Sequence, residues 1–400
     1  MHRGPAVLHS PELLGYIMAF QHGVYADMRA FVGLENPLEK SLRVVTIEGR
    51  ARTDRAFGRI DRVLTPWFAV ESRDTRLAKL FACMPHMQDI VVLHAVYAGN
   101  VQLLRTLHTL SLGNLLTTPH ALLDLAAFNG QLEALRYLHV HVGHTGCTSL
   151  ATDLASQHGH LAVVEYLDEM GNVDGSVWAM NGAAENGHLD IVRFLHLHRP
   201  DTCNLEWALE YAAADGHVHV VEYLHAMLGP EECSTRAMDG AARNGHLVMV
   251  DWLHSNREDG CTTGAMDWAA AKGHLDVVQF LHTNRSEGCT TSALDMAASG
   301  GHLDVVQWLH GNRTEGCTTS AWDDAAANGH LEVVQWLHAN RDEGCTGWAL
   351  TWAAEKGHMN VVRFLVDHRD EGDVGDALEA AVRMDHTDVA RLLRRRLDTR

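Results

Sequence analysis

Ala297-Ala298-Ser299-Gly300-Gly301-His302-Leu303-Asp304-Val305-Val306 is the stretch on which the reading of this chain turns. Two small residues, a Gly-His pair and a β-branched pair follow one another. The phrase recurs. Lys356-Gly357-His358, Asn328-Gly329-His330, Lys272-Gly273-His274, Asn244-Gly245-His246, Asp215-Gly216-His217, Asn186-Gly187-His188 and His158-Gly159-His160 are copies, and Asn129-Gly130-Gln131 and Ala98-Gly99-Asn100 are looser ones. The glycines at 245, 273, 301, 329 and 357 are 28 residues apart, and earlier spacings are 28, 29 or 31. A fixed period in this range marks a solenoid, in which each unit buries its apolar face only against its neighbours.

One unit, Cys289 to Gly316, shows what each copy builds. Ser292 to Ser299 reads as a short first helix, with Ser292-Ala293-Leu294-Asp295 in the pattern of a capping box. Ala297-Ala298 keeps that helix slim, so that neighbouring helices approach to roughly 8–10 Å. Gly301 permits the left-handed conformation that ends a helix. Leu303 to Leu309 starts a second helix, with Leu303, Val306 and Leu309 near one face and Val305 and Trp308 beside them. Asn312 to Gly316 is a polar turn into the next unit.

On these residues the repeat resembles the ankyrin repeat, whose core reads A-A-x-x-G-H-x-x-V-V. The resemblance covers residues 87–400, about eleven units counting a degenerate last one around Asp385-His386. Two departures stand out. Ser292-Ala293-Leu294-Asp295 and its counterparts replace the family's Thr-Pro-Leu-His. The period of 28 falls about five residues short of the family's ~33, where the family builds its β-hairpin finger. The resemblance implies protein recognition, and with the fingers truncated it implies the concave helix face as the working surface. Tetratricopeptide repeats, the rival helical solenoid, have a longer period and lack Ala-Ala-x-x-Gly-His. The expected fold is all-α: an ankyrin-like α-solenoid of about eleven helix-turn-helix repeats, with residues 1–86 as a helical N-terminal cap and no substantial sheet.

Charge divides the same way. Residues 1–86 hold 12 Lys+Arg and 9 Asp+Glu, a net of +3; residues 87–400 hold 20 and 42, a net of −22. An acidic array argues against binding a phosphate backbone, which needs a basic footprint, and favours a basic or neutral protein partner. No run of 18 apolar residues suggests a transmembrane helix. Met1 to Phe20 lacks the features of a signal peptide, so a cytoplasmic protein is expected, with the nucleus as the second compartment. Within that segment Pro11 to Phe20 opens like a capped amphipathic helix and faintly resembles the start of an F-box, which implies an alternative role as a ubiquitin-ligase adaptor.

Several ladders run along the repeats. An aromatic recurs in the second helix at Tyr137, Tyr166, Phe194, Tyr223, Trp252, Phe280, Trp308, Trp336 and Phe364; its apolar neighbours place it in the core. Cysteines recur at 147, 203, 233, 261, 289, 317 and 345, with Cys83 outside the series. One thiol per repeat suits neither disulfides nor zinc, and each reads as a small buried hydrophobe. Acids recur at Asp124, Asp153, Glu210, Asp239, Asp267, Asp295 and Asp323, in the first turn, where they are expected to cap their own helices. Histidines at the second-helix ends, such as His196, His225, His254, His282, His310 and His338, are expected to donate to terminal carbonyls. His139, His141, His144 and Cys147 form the densest cluster of metal-binding types, but their spacing matches no standard zinc motif. No metal site, cofactor or catalytic motif is expected.

One position varies where its neighbours do not. Between the acid column and the Ala-Ala pair stand Leu125, Leu154, Gly182, Tyr211, Gly240, Trp268, Met296, Asp324 and Trp352. A packed interior does not accept a range from glycine to tryptophan, so the position is expected to be exposed. Tyr211, Trp268, Met296, Asp324 and Trp352 are the candidate partner-binding residues of a scaffold that is not an enzyme.

Overall fold

The computed structural model describes residues 20–21, 24–35, 47–69, 73–111, 122–144, 147–171, 176–228 and 234–398. The chain divides into two compact units, one of residues 1–183 with 190–203 and one of residues 184–189 with 204–400. Within unit 1 the chain first forms a minimal hairpin, Phe20–Gln21 against Val24–Tyr25, and a 3₁₀ segment, Ala26–Phe31. Phe20 is thus in a strand, not at the end of a helix; the rest of the F-box-like stretch, residues 11–19, lies outside the described residues. Two helices without the repeat follow, α1 (Ile47–Phe68) and α2 (Arg73–Cys83). Helix pairs then succeed one another: α3 (Met87–Tyr97) and α4 (Val101–Thr109), α5 (Leu122–Phe128) and α6 (Leu132–Tyr137), α7 (Ser149–Gln157) and α8 (Leu161–Glu169), α9 (Val177–Glu185) and α10 (Leu189–His198). A π turn, Leu138–Val142, prolongs α6.

Unit 2 continues the pattern with α11 (Leu205–Ala214) and α12 (Val218–Leu228), α13 (Arg236–Arg243) and α14 (Leu247–Asn256), α15 (Thr263–Ala271) and α16 (Leu275–Asn284), α17 (Thr291–Ser299) and α18 (Leu303–Asn312), α19 (Ser320–Ala327) and α20 (Leu331–Asn340), α21 (Gly347–Glu355) and α22 (Met359–His368), α23 (Val374–Arg383) and α24 (Thr387–Asp398). The expected α-solenoid is present, with eleven helix pairs among the described residues from Met87 onward. In unit 1, α1 lies against α3. Phe57 stacks on Tyr97 with ring centroids 4.0 Å apart, and Asp61 pairs with His94 at 3.0 Å.

The core of each repeat is small residues against branched ones. Leu294, Ala297 and Ala298 of α17 are buried with Val305, Val306 and Leu309 of α18. In unit 2 the slim first helices of successive repeats lie in close contact along their length, whereas the second helices touch at few points. Gly240 shows how tight this is: a Cβ there would stand 3.1 Å from that of Ala214. The stack of unit 2 therefore curves toward its first helices, whose outer surface is its concave side.

The turn between the helices is fixed twice. After α17, the His302 N–H reaches the Ala297 carbonyl and the Gly301 N–H that of Ala298, with Gly301 at φ +78°, the Schellman arrangement. The next repeat's imidazole also abuts this glycine, since a Cβ at Gly301 would lie 2.5 Å from His330 Nδ1. Backbone conformation and close approach both require glycine.

Two sets of side chains bind one repeat to the next, and both correct the sequence reading. The acid column does not cap its own helices. Asp267 accepts from the N–H and hydroxyl of Thr290, at 2.8 and 2.7 Å. Asp239 holds Thr262, Asp295 holds Thr318 and Asp323 holds Thr346 in the same way, and in unit 1 Asp124 holds Thr148 and Asp153 holds Ser176. Thr290, not Ser292, is the N-cap of α17, and its hydroxyl accepts from the Ser292 N–H at 3.1 Å. Four or five residues past the N-cap, the acid sits too deep to cap its own helix and points sideways across the stack, so its carboxylate meets the start of the following first helix, whose dipole favours it. Burial pushes Asp124, Asp153 and Asp239 above the ordinary carboxylate range.

The aromatic column is not core either. Among its members Tyr137 alone is buried; the others are half-buried. Tyr137, Tyr166, Trp252, Phe280, Trp308, Trp336 and Phe364 each meet an imidazole from the preceding repeat edge-on, as Trp308 meets His282 with centroids 5.1 Å apart at 85°. That imidazole does not serve its own helix end. Arg313 Nη1 donates to His282 Nδ1 at 3.3 Å, while the same guanidinium pairs with Glu315. Arg257 with His225, Arg285 with His254 and Arg341 with His310 repeat the clasp. His198 and His368 do bond their own helix carbonyls. Cys261, Cys289, Cys317 and Cys345 are buried free thiols. Burial pushes Cys261 up to about 12 and Cys289 and Cys317 to about 11.

Candidate functional site

The concave side of unit 2 presents three successive positions of each first helix, one turn apart. In α21 these are Trp348, Trp352 and Lys356; in α19, Ser320, Asp324 and Asn328; in α17, Ser292, Met296 and Gly300; in α15, Gly264, Trp268 and Lys272. The helix starts orient them. Thr346 caps α21 by accepting from the Trp348 N–H at 3.2 Å, and the buried Ala349, Leu350, Ala353 and Ala354 turn the remaining face outward.

Of the five residues expected at a binding face, Trp268 is 41% exposed, and Tyr211, Met296, Asp324 and Trp352 are half-buried. Trp268 folds back over Gly264, with ring atoms 3.5 Å from where a Cβ would stand, and the Arg243 guanidinium lies 5.8 Å from its ring. The expectation of exposure fails in unit 1, where Leu125, Leu154 and Gly182 are buried. There the variable position packs like any core site, and its scatter in size reflects two environments rather than one.

Sequence reasoning missed a second row. Trp207 is 42% and Trp348 56% exposed, each four residues before the variable position. Trp348 and Trp352 stack at 5.4 Å and 23°. In unit 1, Trp178 holds the equivalent place and is 56% exposed. The signal was present, because this row also runs from glycine to tryptophan: Trp207, Arg236, Gly264, Ser292, Ser320, Trp348.

The histidine–cysteine cluster does not assemble. His139 Nδ1 bonds the Tyr166 hydroxyl at 2.9 Å, His141 stacks on Tyr137, and His144 is buried with its pKa lowered by desolvation. Burial and the nearby Asp124 push the Cys147 thiol up to about 12. Among the described residues no three His, Cys, Asp or Glu side chains could share a metal ion. A different feature lies between α22 and α24, an open hollow of about 510 Å³ lined by Arg363, Arg391, Arg395, Arg396 and Asp367.

Family models corroborate the architecture. Ankyrin repeats (many copies) match residues 238–282 and 266–310, and ankyrin repeats (3 copies) match residues 323–399. Over residues 238–310 and 323–399, then, the repeats are matched as ankyrin repeats. No curated protein matches the chain. Ankyrin repeats are in general protein–protein interaction modules, and proteins built from them are typically non-enzymatic scaffolds. No described helix is long and apolar enough to cross a membrane.

Proposed function

We propose that this ankyrin array is a scaffold that binds a partner protein on the concave, first-helix face of unit 2. Tyr211, Trp268, Met296, Asp324 and Trp352 make the contact, joined by Trp207 and Trp348. The observation that carries this is the accumulation of partly exposed tryptophans on one face, since exposed aromatic anchors dominate binding energy in protein interfaces. The partner is basic or neutral, because the array carries a net −22 over residues 87–400; nucleic acid and membrane surfaces are disfavoured on the same ground. Cytoplasm or nucleus is the compartment proposed. The adaptor reading has less support: before residue 47 the described residues form a hairpin and a 3₁₀ segment whose Phe31 is buried against Trp67.

The test is capture of partners from a cell extract by wild type and by Trp268→Ala and Trp352→Ala. Each substitution is expected to weaken capture by about 2 kcal/mol or more and to leave the unfolding midpoint nearly unchanged. If both variants bind normally while substitutions in the loop 312–316 abolish binding, the face is wrong.

A further inference from the structure

We infer that the concave surface between α19 and α21 takes an arginine side chain of the partner, carried on an extended segment whose second, apolar anchor reaches Trp268. This rests on the binding face proposed above and adds the chemistry and spacing of its occupant.

The register of the two helices is printed in one bond. Lys356 Nζ donates to Asn328 Oδ1 at 3.0 Å, so residue 328 of the preceding repeat faces 356. One turn back Asp324 faces Trp352, and one further turn back Ser320 faces Trp348. The stacked Trp348–Trp352 pair therefore stands beside a carboxylate, with a small serine leaving room next to the more exposed ring. Among the described residues no group donates a hydrogen bond to the Asp324 carboxylate, although the Asn328 N–H reaches its backbone carbonyl. The neighbouring Asp295 and Asp323 are spent on Thr318 and Thr346, and Lys356, the cation acting on it, is already bonded. Partial burial, Asp323 and Asp295 hold the Asp324 carboxyl above its ordinary range.

A half-buried carboxylate lacking a donor, next to two indole faces, is complementary to a guanidinium. Its flat surface stacks on an aromatic ring, and its edge donates two parallel hydrogen bonds to a carboxylate. An ammonium offers one point charge and no flat face. Three repeats separate Trp352 from Trp268. At ~8–10 Å per repeat the anchors are about 24–30 Å apart, the reach of about eight or nine extended residues. Between them Ser292, Met296 and Ser320 form a low floor. Arg243 already lies against Trp268, so that end suits an apolar anchor rather than a second cation.

The test uses the full chain with its tryptophan indoles labelled with nitrogen-15. It is titrated with Ser/Ala/Pro peptides bearing arginine and leucine eight residues apart. Companion peptides carry lysine or glutamine for the arginine, or place the pair four apart. The arginine peptide should move the Trp348, Trp352 and Trp268 indole signals saturably. Lysine should bind several-fold more weakly, and glutamine and the short spacing about tenfold more weakly. Asp324→Asn and Trp348→Ala should each weaken the arginine peptide about tenfold, and both substitute side chains that are not buried. Equal binding of arginine, lysine and glutamine peptides overturns the inference, as does an indifferent Asp324→Asn. If the peptides leave the indoles unmoved while a captured partner still requires Trp268 and Trp352, the binding face stands and this occupant is wrong. If captured partners also ignore those tryptophans, the face itself has failed.

Discussion

In unit 1 the imidazoles of His108 and His139 are hydrogen-bonded to the hydroxyls of Tyr137 and Tyr166, at 3.0 and 2.9 Å. In unit 2 those of His225, His254, His282 and His310 receive an arginine N–H instead, and the ring beside them is Trp or Phe. The same imidazole meets a ring edge in both units. What differs is which group satisfies its Nδ1. A tyrosine brings its own hydroxyl, and an indole or phenyl ring cannot, so the chain adds an arginine five residues later. The sequence keeps this rule throughout. Tyr137, Tyr166 and Tyr223 are followed by Val142, Gly171 and Leu228, whereas Phe194, Trp252, Phe280, Trp308, Trp336 and Phe364 are followed by Arg199, Arg257, Arg285, Arg313, Arg341 and Arg369. Two cases sharpen it. Where Asp168 replaces the histidine, Arg199 donates to the carboxylate at 2.5 Å. Where the buried Trp322 enters the core, Arg369 lies over its ring at 4.8 Å, and among the described residues His338 Nδ1 has no hydrogen-bond partner. With arginine clasps and carboxylate braces joining repeats, the array holds together on a 28-residue period with no room for hairpin fingers.

The brace is common to both units, so its removal should cost alike in both and most of all. Asp124→Ala and Asp267→Ala each strand a threonine N–H and hydroxyl, at about 2–3 kcal/mol. Asparagine keeps an acceptor for the N–H and should recover most of that. Denaturant unfolding of the four variants measures it, and a harmless Asp267→Ala would mean that the threonine caps itself.

The clasp differs between the units, so it can be exchanged. Arg313→Ala should cost about 1–2 kcal/mol, because it leaves His282 and Glu315 without their donor. In a Trp308→Tyr background the same change should cost less than half as much, the new hydroxyl reaching His282. The double-mutant cycle reads the coupling directly. Additive effects would break the rule drawn from the tyrosine repeats.

Brace and clasp also titrate in opposite senses. Asp124, Asp153 and Asp239 are raised in the folded chain above 3.8, so their ionised forms weaken it. That penalty is lifted as pH falls through their folded values toward 3.8. The hydrogen bond from Arg285 holds Glu287 at about 2, against 4.5 when unfolded. Its contribution is full above 4.5 and lost as pH falls toward 2. Melting temperature should therefore rise slightly on mild acidification and drop below about pH 4. In Asp239→Asn the rise should shrink, and in Glu287→Gln the drop.

Much of the fold was legible because a repeat writes its constraints many times. Gly301 and its copies gave the turn, Ala297-Ala298 the slim helix, and Val305-Val306 the buried face. What one repeat reads poorly is what it does to the next. Asp295 looks like a cap for its own helix, since only the three-dimensional offset shows Thr318 of the following unit in reach. Trp308 looks like core, since its histidine partner lies 26 residues earlier. The proposed binding face was half legible: the variable position pointed to Trp268 and Trp352. Trp207 and Trp348 were lost among helix-starting residues, and buried Leu125 shows that variability alone does not report exposure.

The smallest effect concerns the last repeat against all the others. At Gly357, as at Gly301, glycine is required both by a positive φ and by an imidazole, with His386 Nδ1 2.6 Å from where a Cβ would be. Asp385 occupies the equivalent turn at φ +61°. α24 is the last described helix, so no following histidine stands against this turn among the described residues, and only the backbone requirement remains. An aspartate tolerates left-handed geometry better than most residues but still carries its Cβ penalty. Asp385→Gly should therefore stabilise the array by about 0.5–1 kcal/mol, after allowance for the extra freedom of glycine in the unfolded chain. Because each repeat contacts only its neighbours and openings in a stack are local, the gain should appear as slower hydrogen exchange across α23 and α24 before it appears in the global midpoint. A destabilised variant would mean that the Asp385 side chain itself holds the turn, and that the last repeat follows a rule of its own.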